Sequence, residues 1–225
     1  MNSGELYEAF RADVEDDVGP YLWKDEEVFR YMDAAYKKFV RLVGGISDAT
    51  SSITEVPVVT GEAWADVSPL ILNFRFASLA STGAKVKVAN SLDPMAATSD
   101  DYGTIRDLAG NTAAGPVQYM IIGLSRNQVK WVQVPEADDT VNLAVYRLPL
   151  EDITGDAQEF EIDAHHHEYL LLGMKELAFL KQDSETFDRA GSKENKKAFE
   201  DYCAAVKAEA DRYKHKVREV SYGGI

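Results

Sequence analysis

The sequence predicts an α+β protein. A four-helix bundle, formed by N- and C-terminal helical hairpins, carries an inserted antiparallel β-sandwich-like domain. Three observations point there. Apolar residues recur at helical spacing near both ends of the chain. Residues 53–150 are instead rich in Val, Ile, Thr and aromatics, broken at short intervals by Gly, Pro, Asn and Asp. Neither hairpin alone would bury its apolar stripe, so the two are expected to pair. The expected segments are 1–50 and 156–225 for the two halves of the bundle, the second with its tail, and 51–155 for the β insertion.

In the first helix Leu6, Phe10, Val14 and Val18 recur every fourth residue until Gly19-Pro20 ends it. The second, KDEEVFRYMDAAYKKFVRLVGG, places Asp25, Glu26 and Glu27 in its first turn, where carboxylates suit the helix dipole. Its stripe is Val28, Met32, Ala35, Phe39 and Val43, and Gly44-Gly45 is the stop. The third is expected over about 164–181, with Leu170, Met174 and Leu177 on one side and Leu171 and Ala178 on the adjoining one. The fourth, over about 193–219, repeats at Phe199, Cys203, Val206, Ala210, Tyr213 and Val217, a heptad-like seam. Between them ITEVPVVTG, PLILNFRFASL, AKVKVANSL, VQYMIIGLS, NQVKWVQVP and TVNLAVYRLP read as strands. Residues 93–115 are small, polar and glycine-bearing, and read as a long loop.

The net charge of −14 is unevenly spread. Residues 151–189 carry 11 acidic against 3 basic side chains, whereas 190–225 carry 6 against 8. Broad adhesion to nucleic acid is not expected, because it needs phosphates neutralised by Lys and Arg. No apolar run approaches the roughly 20 residues that span a bilayer. The first residues lack the basic flank and apolar stretch of a signal peptide, so cytoplasmic synthesis is expected. A single cysteine, Cys203, excludes an internal disulfide framework and a multi-thiolate metal site, and its place on the seam suits a small buried hydrophobe.

Motifs of catalysis are missing. There is no glycine-rich phosphate loop and no G-x-S-x-G elbow. The carboxylate pairs Asp16-Asp17, Asp100-Asp101 and Asp138-Asp139 are adjacent in sequence and diverge on helix or strand. Asp93, Ser99, Asp100 and Asp101 match no calcium-loop spacing. The run His165-His166-His167 follows Asp163, the expected N-cap of the third helix. Successive helical residues lie about 100° apart, so the three rings are expected to point three ways and share no ion. No enzyme activity, cofactor or metal is expected.

The order of elements and several local stretches resemble the head-to-tail adaptor proteins of tailed bacteriophages, of the type called tail tubular protein A. LWKDEEVFRYMDAAYKKFVRLVGGI resembles the family's N-terminal helix after an aromatic-acidic start. GPVQYMIIGLSRNQVKWVQVPEADDTVNLAVYRLPLEDI resembles its stretch of Gly-Pro, tyrosine strand, strand ending in proline and strand ending in Arg-x-Pro; here these are Gly115-Pro116, Tyr119, Pro135, Tyr146, Arg147 and Pro149. FEIDAHHHEYLLLGMKELAFLKQDSETFDRAGSKENKKAFEDY resembles its helix pair joined by an acidic turn, here Asp183, Glu185 and Asp188. His166 or His167 would be the family's early histidine in the third helix. The chain departs at VPEADDT, where the family commonly has Pro-x-Pro.

The resemblance implies a structural protein of the virion neck. It would form a homo-oligomeric ring, usually twelvefold, between the portal protein and a tail tube or nozzle protein. DNA would pass through the lumen without specific binding, and no membrane is involved. Lys214, Lys216, Arg218, Tyr222 and Ile225, in the one basic segment, are the implied portal-docking residues. A carboxylate-lined lumen would repel phosphate, and Asp13, Glu15, Asp16 and Glu176 are candidates for that lining. The alternatives are another head- or tail-completion protein, or a β-sandwich binding module with Trp64, Trp131 and Tyr102 as a stacking platform.

Overall fold

The computed structural model describes residues 1–90, 110–183 and 185–214, with residues 213 and 214 described by backbone alone. The chain divides into two compact units, Met1–Gly45 with Pro149–Ile225, and Ile46–Leu148.

The helical unit begins with α1 (Ser3–Asp13). The Asn2 side chain accepts the Glu5 N–H at 2.9 Å while the Glu5 carboxylate accepts the Asn2 N–H at 3.1 Å, a reciprocal cap. Leu6 and Phe10 are fully buried, each contributing about 1.5–3 kcal/mol. The four-residue recurrence stops there. Glu15 takes φ 55°, Asp16 turns inward, and Val18 is 77% exposed. The cause is Arg11: it is buried and pairs with Asp16, whose carboxylate also accepts the N–H groups of Leu22 (2.8 Å) and Trp23 (3.3 Å). These bonds bend residues 14–24 into a turn where the apolar spacing alone predicts more helix.

In α2 (Asp25–Val43) Val28, Met32, Ala35, Phe39 and Val40 are buried, joined by Tyr31 and Tyr36. The Glu27 carboxylate accepts the Lys24 N–H at 2.9 Å at its start. Gly44 ends it at φ 103°, a conformation that glycine adopts without strain. After the second unit the chain returns through a three-ten turn at Ala164–His166, then α3 (Leu170–Ala178) and α4 (Arg189–Lys214). The Asp188 carboxylate accepts the N–H groups of Ala190 (2.9 Å) and Gly191 (3.0 Å), so α4 starts ahead of the position expected from its apolar seam.

The helices are not arranged as N- and C-terminal hairpins in a four-helix bundle, contrary to the sequence-based expectation. Their lengths of 11, 19, 9 and 26 residues explain this. At about 1.5 Å per residue neither chain-end pair matches. Instead α3 sits between α2 and α4. A methyl on Gly173 would lie 2.9 Å from the Ala35 Cβ and 3.2 Å from the Phe199 ring, so the three helices meet across a glycine. α1 lies against α2 and α3, with Tyr7 stacked on Phe29 at 5.3 Å and Asp13 paired with Lys175 at 2.6 Å.

The second unit contains β1 (Ile46–Asp48), β2 (Glu55–Val58), β3 (Trp64–Asp66), β4 (Ile71–Leu79), β5 (Lys85–Asn90), β6 (Ala114–Gly115), β7 (Tyr119–Ser125), β8 (Gln128–Trp131), β9 (Val134–Pro135) and β10 (Asp139–Arg147). All six quoted strand stretches form strands; β1, β3 and β6 are additional. They do not make a two-sheet antiparallel sandwich. One curled sheet runs β1-β10-β4-β5-β7-β8-β3, with β2 also on β10, and a parallel β6–β9 pair stands apart. Within the main sheet β5 and β7 run parallel, Lys87 opposite Tyr119 and Asn90 opposite Ile122. Parallel pairing needs a long crossover, and the chain between Asn90 and Tyr119 supplies one.

Register shifts between β10 and β4 and between β7 and β8 help curl the sheet. Val56 and Val58, from one end of the strand order, therefore share a core with Ala65, Val129 and Trp131 from the other. The sheet covers its own apolar face. At its β1 edge the buried Arg147 pairs with the buried Asp48, whose carboxylate also accepts the Thr50 N–H at 2.9 Å and the Ser51 N–H at 3.2 Å. Burial opposes the charge on Asp48, but the bonds from Ser51, Thr50 and Arg147 prevail and hold its carboxyl well below the usual range. Arg147 of the Arg-x-Pro stretch is thus a buried strut.

Candidate functional site

Two features of the helical unit stand out. The first is an apolar end. Arg11 donates to the Asp25 carboxylate at 2.7 Å and to the Tyr7 hydroxyl at 3.0 Å, and packs over the Tyr21 ring at 4.1 Å. The Tyr7 hydroxyl donates to Asp25 at 2.6 Å, and this bond and the Arg11 cation hold the Asp25 carboxyl below its ordinary value. The turn so fixed lies beside the α3–α4 turn. Trp23 Nε1–H donates to the Ala178 carbonyl at 3.2 Å, and Lys181 Nζ donates to the Leu22 carbonyl at 2.7 Å. On these adjoining turns Val18, Tyr21, Leu22, Leu180 and Phe187 are all exposed, Phe187 by 52%. Large exposed apolar side chains are concentrated on these two adjoining turns, a feature common at interaction surfaces.

The second feature is the histidine run. The backbone here is a three-ten turn and not an α-helix; successive residues still step by about 120°, and the side chains of His165 and His166 fold back towards each other. The His165 and His166 rings lie side by side, centroids 3.9 Å apart, and donor atoms of Asp163, His165 and His166 fall within 4.8 Å of one another. His166 Nδ1 shares a hydrogen bond of 2.8 Å with the Tyr202 hydroxyl, and Tyr202 stacks on Tyr169 at 3.5 Å. Burial, helped by His165, pushes the His166 imidazole below its ordinary value. His167 alone turns inward, its Nε2–H donating to the Ile162 carbonyl at 2.9 Å against the Phe160 ring. The Asp163 side chain makes no capping bond.

The other expected residues are dispersed. Lys216, Arg218, Tyr222 and Ile225 lie outside the described residues, as do Asp93, Ser99, Asp100, Asp101 and Tyr102, and the Lys214 side chain is not described. Of the acidic candidates for a lumen, Asp13 pairs with Lys175, Asp16 with Arg11, and Glu176 with Lys38 at 2.6 Å; only Glu15 is exposed without such a pair among the described residues. Trp131 is wholly buried, whereas Trp64 is 41% exposed, so the two do not form one stacking platform. Asp138 and Asp139 diverge, the first to Thr60 and the second to Ser81. Cys203 is buried, and its thiol is pushed up to about 11.

Sequence reasoning missed Arg11, Tyr202 and the exposed turn residues. Tyr202 and the two turns meet partners far along the chain, whereas Arg11 pairs within fourteen residues, across a bend that the apolar spacing does not encode. No family model matches the chain, and no curated protein matches it. Among the described residues no helix is long and apolar enough to cross a membrane.

Proposed function

We propose that the protein is a head-to-tail adaptor of a tailed bacteriophage, a virion neck subunit that rings the portal and joins it to the tail. The observation that carries the proposal is the conjunction, in order along the chain, of the N-terminal helix, the Gly-Pro to Arg-x-Pro strand stretch and the helix pair with its acidic turn. The hairpin-paired bundle is no part of it. Three features support it. Segments from both ends of the sequence contribute to one helical unit, with a unit whose described residues are mainly strands inserted between them in sequence. Exposed Tyr21, Leu22, Leu180 and Phe187 supply apolar surface for a partner subunit to cover. The net charge of −14 suits a conduit through which DNA slides.

Gradient sedimentation with the portal ring of the same genome tests this. The full chain co-sediments with the portal. A Leu180→Glu, Phe187→Glu variant, both positions exposed, keeps its circular dichroism and loses at least about tenfold in portal affinity, since charges at the centre of an apolar contact are strongly unfavourable. A native full-length chain that stays at the top of the gradient refutes the proposal, as does tight DNA binding at physiological salt.

A further inference from the structure

We infer that Asp163, His165 and His166 form a binding site for a divalent transition-metal ion of the zinc type, organised by Tyr202 of α4. Two imidazoles and a carboxylate are borderline nitrogen and hard oxygen donors, a set suited to zinc and poorly suited to magnesium or calcium. Their donor atoms already lie within 4.8 Å of one another. Tetrahedral bonds of about 2.0–2.1 Å put ligand atoms about 3.4 Å apart, so closure takes side-chain movements of the order of an ångström and none of the backbone.

A histidine run on a loose loop would lack the second requirement, a partner that fixes the ring. Here Nδ1 of His166 is bonded to the Tyr202 hydroxyl at 2.8 Å, which leaves Nε2 as the nitrogen for the ion. Tyr202 is itself held by stacking on Tyr169 at 3.5 Å and packing near Phe39 at 6.4 Å. Glu209 on α4 adds negative charge near His166. His167 is engaged elsewhere, by the Ile162 carbonyl. Three protein donors leave one position of a tetrahedron open, for water or a group from another molecule. The ion would clamp the turn ahead of α3 against α4.

Calorimetric titration of the untagged full chain with zinc chloride tests the inference, with cobalt(II) absorption reporting geometry. The expected result is one equivalent bound at micromolar or tighter affinity, with tetrahedral cobalt bands. Asp163→Asn and His165→Gln, at exposed positions, each lower affinity at least about tenfold, and Tyr202→Phe lowers it by about ten- to a hundredfold through loss of the orienting bond. Circular dichroism identical to wild type shows that each variant is folded. Binding that survives in 8 M urea, or that is indifferent to Asp163→Asn and Tyr202→Phe, overturns the site and leaves a histidine run that attracts metals by composition alone. No binding by the native chain overturns it too.

Discussion

Replacing Asp16 with alanine removes one partner of a buried ion pair and the acceptor for two backbone N–H groups. Asp16 and Arg11 side chains are 3% and 4% exposed, so solvent replaces little of what is lost. Breaking such a pair from one side costs about 3–5 kcal/mol, mostly because the remaining charge stays buried. Asp25 and Tyr7 remain bonded to Arg11, which places the expected loss near the lower figure, about 3 kcal/mol. Asp16→Asn keeps an oxygen for the Leu22 N–H at 2.8 Å and should lose less, about 2 kcal/mol. Arg11→Met with Asp16→Ala removes both charges together. The double variant should therefore be more stable than the sum of the single losses predicts, by about 1–3 kcal/mol. Urea unfolding followed at 222 nm measures these three variants and the Arg11→Met single, because α1 to α4 supply the helical signal. A loss below about 1 kcal/mol for Asp16→Ala, or strict additivity in the double variant, would show that the pair does not hold the 14–24 turn.

In the sheet unit, the unfolded Asp48 carboxyl titrates near about 3.9 and the folded one lies lower. Its contribution to stability is therefore complete above the unfolded value and is lost as pH falls through the folded one. The hydrogen-exchange protection factors of the β1 and β10 amides, taken relative to the intrinsic rate at each pH, should fall below about pH 4 in the wild type, and Asp48→Asn should flatten that dependence; an unchanged acid profile would refute the role. At pH 8 a thiol titrating at about 11 is about one part in a thousand ionised, against about a quarter for an ordinary one. A disulfide reagent should thus label Cys203 about a hundredfold more slowly in the native chain than in denaturant, and equal rates would contradict its burial. Gly173→Ala sets a methyl 2.9 Å from the Ala35 Cβ, costing about 1–3 kcal/mol of overpacking against about 1 gained in helix propensity. Thermal melting should show a net loss, and a raised melting temperature would mean that α2 and α3 are not in close contact there.

The sequence made α2 legible because its signals are local. Three carboxylates mark its start, a stripe from Val28 to Phe39 marks its buried face, and Gly44 at φ 103° marks its end. The six principal strand stretches were legible in the same way, from β-branched residues between turn formers. What failed was non-local. Val14 and Val18 carry the right spacing, but the Arg11–Asp16 pair ends α1 before them. The apolar period suggested helix through His165 and His166, yet that stretch is a three-ten turn, which leaves α3 only 9 residues long. The sandwich expectation missed the parallel β5–β7 pairing and the register shifts, which let one sheet enclose its own core. The histidine cluster followed the same rule: its residues were visible, but its geometry depends on Tyr202 from a distant helix.

Native mass spectrometry of the full chain, alone and mixed with the portal ring encoded by the same genome, tests the adaptor proposal most directly. An adaptor gives a portal complex that carries one added subunit for each portal subunit. A chain that leaves the portal mass unchanged at every ratio contradicts the proposal.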